Sequence, residues 1–181
     1  MGKCIIFCAA EFETLAEPIR TEDHVIAADG GLRHTAKLGI TPDEILGDFD
    51  SLGYREFLLY GSLDGPRLDH TVANFQTLQF LCDRGAFGVL AGMHTMAAVV
   101  KNGSLSFPAG CEGTVSVFCH GSDAHGVTLK GLYYPLENGT LTAGFPLGVS
   151  NHFTGQPAEI SVEDGSLLVL WEGKNGFPVH S

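Results

Sequence analysis

Short, uninterrupted apolar runs alternate with helical periodicity in the first half of the chain and give way to two-residue alternation in the second. Cys4-Ile5-Ile6-Phe7-Cys8 and His24-Val25-Ile26-Ala27-Ala28 each predict a strand buried on both faces. Gly31 to Leu38 predicts a short helix, closed by Gly39 just past its end. Asp43 to Gly47 and Glu56 to Tyr60 predict a third and a fourth strand. Val72, Phe75, Leu78 and Leu81 recur every three residues, which predicts a helix from His70 to Arg84 stopped by Gly85. Gly88 to Ala91 predicts a fifth strand. Buried strands alternating with helices predict an α/β domain over residues 1–91, built on an open, mostly parallel sheet.

No comparable helical run follows. Thr114-Val115-Ser116-Val117-Phe118 alternates with period two, as a strand with one buried face does. Asn102-Gly103, Asn138-Gly139 and Asp164-Gly165 predict tight hairpin turns, because both central residues tolerate positive φ. Residues 92–181 therefore predict an all-β antiparallel sandwich, joined to the first domain near Gly92 without a flexible linker.

Composition narrows the partners. The chain has 181 residues and a formal net charge of −11, with 21 acidic residues against 10 basic ones. A surface that acidic repels nucleic acid and anionic lipid, yet accepts a phosphorylated ligand bridged by a metal ion. The five cysteines are odd in number and form no C-x-x-C pair, which predicts free thiols in a reducing, cytoplasmic setting. The apolar run Cys4 to Ala10 is too short for a signal peptide or a bilayer span, and no membrane partner is expected.

Fourteen of the acids lie in residues 1–91, and they gather after predicted strands. Asp29-Gly30-Gly31 follows the second strand, Gly47-Asp48-Phe49-Asp50-Ser51 the third, and Gly65-Pro66-Arg67-Leu68-Asp69-His70 the fourth. Ligands of open α/β sheets bind beyond the carboxyl ends of the strands. Asp29, Asp48, Asp50 and Asp69 would converge there, and four like charges in one cleft call for a cation. Mg²⁺ suits such oxygen ligands and joins carboxylates to phosphates. Arg67 adds a fixed cation with bidentate reach to phosphate. Each piece also has a plainer reading: a turn with a helix cap at Asp29, capping by Asp48 and Asp50, a surface ion pair between Arg67 and Asp69. Their recurrence at successive strand ends favours the functional reading. No G-x-x-x-x-G-K-[ST] loop is present.

Ala28-Asp29-Gly30-Gly31, Gly47-Asp48-Phe49-Asp50-Ser51 and Arg67-Leu68-Asp69-His70-Thr71-Val72-Ala73-Asn74 resemble three signatures of the thiamine pyrophosphokinase family. Gly131-Leu132-Tyr133-Tyr134-Pro135-Leu136-Glu137-Asn138 and Ser150-Asn151-His152-Phe153 are similar to that family's C-terminal motifs, in the same order. The resemblance implies transfer of pyrophosphate from ATP to the hydroxyl of thiamine, releasing AMP. It implies Mg²⁺ held by Asp29, Asp48, Asp50 and Asp69, with Asp48, Asp50, Asp69 and Arg67 catalytic. Asp29, Gly30, Gly31, Arg67 and His70 would meet the nucleotide, the glycines by letting the backbone approach it. Ser150 and Asn151 would hydrogen-bond the thiamine pyrimidine, with Tyr134 or Phe153 as an apolar face. The resemblance further implies a homodimer, with sites between the α/β domain of one subunit and the sandwich of the other.

One interval departs from the family. Members carry a D-x-T-D motif before the strand that precedes G-R-x-D-H, and only Leu52 to Arg55 occupies that place. Gly47 to Glu56 is also too short for the helical crossover that two adjacent parallel strands need. This predicts a chain that is not covalently continuous there, with the break at Tyr54–Arg55. A genuine deletion would favour a non-catalytic thiamine or nucleotide binding module. A Mg²⁺-dependent phosphohydrolase on the same carboxylate edge is the other alternative.

Overall fold

The computed structural model describes residues 2–8, 10–12, 14–46 and 55–181, and of Asp29, Ile45 and Leu46 the backbone alone. The described residues are mostly β, with two α-helices, and the chain divides into two compact units, Met1–Met96 and Ala97–Ser181.

In the first unit, β1 (Cys4–Phe7), β2 (His24–Ala28), β3 (Glu44–Leu46), β4 (Glu56–Tyr60) and β5 (Phe87–Ala91) run in the order β3-β2-β1-β4-β5. Every pair among these strands is parallel. All four residues of β1 are buried, the consequence of covering both faces of a central strand. Helix α1 (Leu32–Leu38) follows a 3-10 turn at Asp29–Gly31 and ends at Gly39, whose φ of 69° releases the chain from the helix. Helix α2 (Leu68–Asp83) buries Leu78 and Leu81. It lies close on β5: a Cβ on Gly88 would stand 2.7 Å from Leu81 Cδ1 and 2.9 Å from Leu78 Cδ2.

The strand order corrects one premise of the sequence reading. β3 pairs with β2 and β4 pairs with β1, so the strands flanking Gly47 to Arg55 are not sheet neighbours. They lie three strand positions apart, roughly 14 Å, and ten residue steps reach more than about 30 Å. Both strands are parallel, so the chain still has to return from the carboxyl end of β3 to the amino end of β4. The expected break at Tyr54–Arg55 itself lies outside the described residues, as do Asp48 and Asp50.

In the second unit, β6 (Thr95–Lys101), β8 (Thr114–Cys119), β11 (Gly148–His152) and β13 (Ser166–Glu172) run in the order β11-β8-β13-β6. A second sheet holds β7 (Ser104–Phe107), β9 (Ala124–Lys130), β10 (Leu136–Leu141), β12 (Ala158–Ser161) and β14 (Val179–His180) in the order β10-β9-β12-β7-β14. Alternation places Val115, Val117, Val169 and Trp171 on one inner face and Leu105, Phe107, Leu129 and Ile160 on the other, all buried. Phe107 joins the sheets: its ring centroid lies 5.5 Å from that of Trp171, edge-on, and 4.9 Å from that of Phe153.

None of the three predicted hairpin turns closes a hairpin. Asn102-Gly103 connects β6 to β7, and Asp164-Gly165 precedes β13; both carry the chain from one sheet to the other. The two turns are tied together, with Asn102 N donating to Gly165 O at 3.1 Å and Gly165 N to Asn102 Oδ1 at 2.9 Å. Asn138-Gly139 lies inside β10, where the register against β9 shifts. Asn102 and Asn138 both have φ of 48°. Positive φ serves a sheet-switching turn or a bulge as well as a hairpin, so the residue pair alone does not distinguish them.

Candidate active site

Parallel pairing in the first unit sets several strand ends level. Phe7 is in register with Ala27 and with Tyr60, and Tyr60 with Ala91. The segments after β1, β2, β4 and β5 therefore leave the sheet along one edge, neighbours about 5 Å apart. Asp29 follows β2 directly, and the loop carrying Arg67 follows β4, with β1 between them.

The loop from Gly61 to Arg67 is fastened from both sides. Ser62 Oγ donates to Leu59 O at 2.8 Å. The first turns of α2 reach back, Thr71 Oγ1 to Leu63 O at 3.1 Å and Asn74 Nδ2 to Ser62 O at 2.6 Å. Thr71 and Asn74 stand three residues apart, hence on one helix face. Both lie in the motif Arg67 to Asn74, and their three-residue spacing is the trace this fastening leaves in the sequence.

Arg67 immediately precedes α2 with extended backbone angles. Its guanidinium grips Asp69 in a fork, Nε to Oδ1 at 3.2 Å and a terminal nitrogen to Oδ2 at 2.5 Å. Both side chains are exposed. The Arg67 fork holds the Asp69 carboxyl below the ordinary aspartate value, and His70 and backbone N–H groups act in the same direction. Asp69 is thus anionic at neutral pH, at a helix N-terminus where negative charge is favoured. His70 is exposed in the same turn.

Gly31 is buried, and a Cβ there would overlap the carbonyl of Phe7. Its bare Cα serves packing of the 3-10 turn on the end of β1, while Gly30 beside it is exposed. The same edge carries an aromatic cluster that the sequence did not announce. Phe12 packs on Phe7, Tyr60 and the buried His34, with ring centroids 5.8, 5.1 and 5.1 Å away. Tyr60 Oη accepts from Ala16 N at 3.1 Å. Among the described residues no three His, Cys, Asp or Glu side chains are grouped to hold a metal ion. The donor chemistry present, an anionic and exposed Asp69, fits a hard cation.

The second unit brings Tyr134, Ser150 and Asn151 together. Asn151 is 3% exposed. Its Oδ1 accepts from Tyr134 N at 2.9 Å and from His152 N at 2.8 Å, and its Nδ2 donates to Tyr134 O at 2.8 Å. The amide thereby fixes the backbone of Tyr134, whose ring is 61% exposed and meets Tyr133 edge-on at 4.8 Å. Between Gly148 and Asn151 the pairing of β11 with β8 slips by one residue. Ser150 sits in that bulge with φ of 57°, its N–H donating to Ser116 Oγ at 3.0 Å. An L-residue held there is costly. Phe153 is 7% exposed and packs on Phe107, whereas Tyr134 presents an open face.

The two units define a class: a parallel-stranded unit with its loops on one edge, followed by an antiparallel sandwich. Residues 104–167 match a family model described as "Thiamin pyrophosphokinase, vitamin B1 binding domain". The match takes in Tyr134, Ser150 and Asn151. Comparison with curated proteins finds no match. The fold is shared with solved thiamine pyrophosphokinases. The Bacillus subtilis structure aligns at a TM-score of 0.83 with 20% identity, covering 93% of this chain and 97% of that one. The Geobacillus thermodenitrificans structure aligns at 0.75 with 20% identity, covering 94% and 96%. The Candida albicans structure aligns at 0.74 with 13% identity, covering 94% and 88%. The resemblance to the thiamine pyrophosphokinase family seen in the sequence motifs is thus matched by a family model and by the fold.

Proposed function

We propose that this protein is a thiamine pyrophosphokinase, an enzyme that transfers pyrophosphate from ATP to thiamine. The observation that carries the reading is the vitamin B1 binding domain match over residues 104–167. In this reading residues 1–91 form the α/β catalytic domain and residues 92–181 the thiamine-binding sandwich. The pyrimidine of thiamine lies against Tyr134, whose backbone Asn151 fixes, and Ser150, in the neighbouring bulge, hydrogen-bonds it.

The hydroxyethyl oxygen of thiamine attacks the β-phosphorus of ATP. A new oxygen–phosphorus bond forms, and the bond from the β-phosphorus to the α,β-bridging oxygen breaks. AMP leaves with the bridging oxygen, and the hydroxyl proton passes to solvent. Such transfers depend on positioning and charge stabilisation more than on covalent help from the protein. Arg67 meets charge on the phosphoryl oxygens, exchanging part of its grip on Asp69 for phosphate. Mg²⁺, when bound, neutralises phosphate charge; Asp48 and Asp50 would hold it, with Asp29 and Asp69 completing the carboxylate set. Gly30 and His70 border the nucleotide.

The protein works as a cytoplasmic homodimer joined through the sandwich. Among the described residues no helix is long and apolar enough to cross a membrane. Asp48→Asn tests the carboxylate assignment: thiamine diphosphate formation is expected to drop by about two orders of magnitude or more with unchanged circular dichroism. Undiminished turnover by that variant counts against it.

A further inference from the structure

We infer that Asp64 is a positioning residue that locks the loop carrying Arg67 to the neighbouring turn after β5, and so sets where the guanidinium stands. The inference rests on the proposed role of Arg67 toward ATP phosphate. Asp64 lies outside every motif quoted above, and its task is visible only in the fold. Its carboxylate oxygen Oδ2 accepts a hydrogen bond from the backbone N–H of Met93. Asp64 belongs to the β4–α2 loop and Met93 to the turn that follows β5, so the bond links two adjacent loops of the ligand-facing edge.

Gly92 makes room for this link. A Cβ there would overlap Asp64 Oδ2 and stand 3.0 Å from Leu63 Cβ and from Thr95 O. The turn is closed by Gly92 N donating to Thr95 O at 2.9 Å, so Gly92 has little freedom to move aside. Thr71 and Asn74 hold the carbonyls of Leu63 and Ser62 from the helix side, Ala10 N–H holds the Gly61 carbonyl from the β1 side, and Asp64 holds the loop from the β5 side. Arg67 follows three residues after Asp64; its carbonyl accepts from His70 N at 3.2 Å and Thr71 N at 3.4 Å at the start of α2, and its exposed guanidinium is held, among the described bonds, by the fork to Asp69. Its placement is set jointly by the loop and by the helix start. A displacement on the order of 1 Å in such a group costs up to about a hundredfold in rate.

The experiment compares Asp64→Ala, Asp64→Asn, Gly92→Ala and the Asp64→Ala/Gly92→Ala pair. Asp64→Ala is expected to raise KM for ATP about tenfold, with KM for thiamine and the urea midpoint unchanged. Asn keeps an oxygen that accepts from Met93 N–H, so Asp64→Asn is expected within about twofold of wild type. Gly92→Ala strikes the same link from the other side, so the double variant is expected to be no worse than the worse single. An unchanged KM for ATP in Asp64→Ala overturns the inference, as does Asp64→Asn failing equally, since charge rather than the tether would then be responsible. Amide hydrogen exchange over residues 61–67 gives a readout independent of activity. Faster exchange in Asp64→Ala confined to that loop supports the tether, and unchanged exchange overturns it. If the wild-type protein forms no AMP from ATP and thiamine, the proposed function fails while the exchange experiment still decides the tether.

Discussion

Replacing Asn151 by Ala removes three hydrogen bonds at once: those from the N–H groups of Tyr134 and His152, and the one its own amide makes to Tyr134 O. Each neutral bond is worth about 1 kcal/mol net, and a buried group left unpaired costs about 1–3 kcal/mol. Tyr134 is exposed and its backbone gains partial access to water once the amide is gone. The expected loss is therefore toward the lower end of the sum, roughly 2–4 kcal/mol. Urea unfolding at a single pH measures it: the midpoint should fall while the slope stays constant. Freed from its anchor, the Tyr134 ring should no longer present a fixed face, so KM for thiamine should rise while KM for ATP does not. Asn151→Asp is the sharper variant. It keeps the two accepted bonds and sets a second oxygen against the Tyr134 carbonyl, so it should be destabilised despite near-identical size. A loss under about 0.5 kcal/mol in Asn151→Ala, or Asn151→Asp as stable as wild type, would refute the argument that this amide fixes Tyr134.

Two further outcomes follow from charge and burial. The Asp69 carboxyl, held low chiefly by Arg67, contributes stability that is present above the unfolded aspartate value of about 3.9 and is lost as pH falls through the lower folded value. Carbon-detected NMR titration of Arg67→Ala should show the Asp69 midpoint moving up; no movement would mean the fork is not its cause. Burial, assisted by Glu44 and Asp43, pushes the Cys4 thiol up to about 12. The stability linked to a raised thiol is fully present below the unfolded value of about 8.5 and drains away as pH climbs toward 12. Folded protein treated with iodoacetamide at pH 8.5 should leave Cys4 unmodified, and mass spectrometry showing modified Cys4 in folded protein would contradict its burial.

The residues that announced themselves were those whose environment is uniform along a segment. His24–Ala28 and Glu56–Tyr60 are apolar runs because central parallel strands are covered on both faces, and both were legible to the residue. Gly39 and Gly85 were legible as helix stops because a left-handed residue there is nearly always glycine, and they have φ of 69° and 68°. Asn138-Gly139 was legible as a positive-φ site and not as a bulge, since the distinction lies in the partner strand. Phe153 looked like an apolar face because sequence does not say which side of a sheet a residue after β11 takes; Phe107, 46 residues earlier, settles it. Asn151 read as a ligand contact, and its anchoring of Tyr134 depends on a partner 17 residues away. Asp64 carried no pattern at all, because its meaning comes from Met93 on another loop.

The central claim is a pyrophosphate transfer, and its products are measured directly by incubating the purified protein with ATP and Mg²⁺, with and without thiamine, and separating nucleotides and thiamine esters by chromatography. The account predicts AMP and thiamine diphosphate in equal amounts, formed only when thiamine is present. ADP with thiamine monophosphate, phosphate release without thiamine, or thiamine binding with no AMP formed would contradict it.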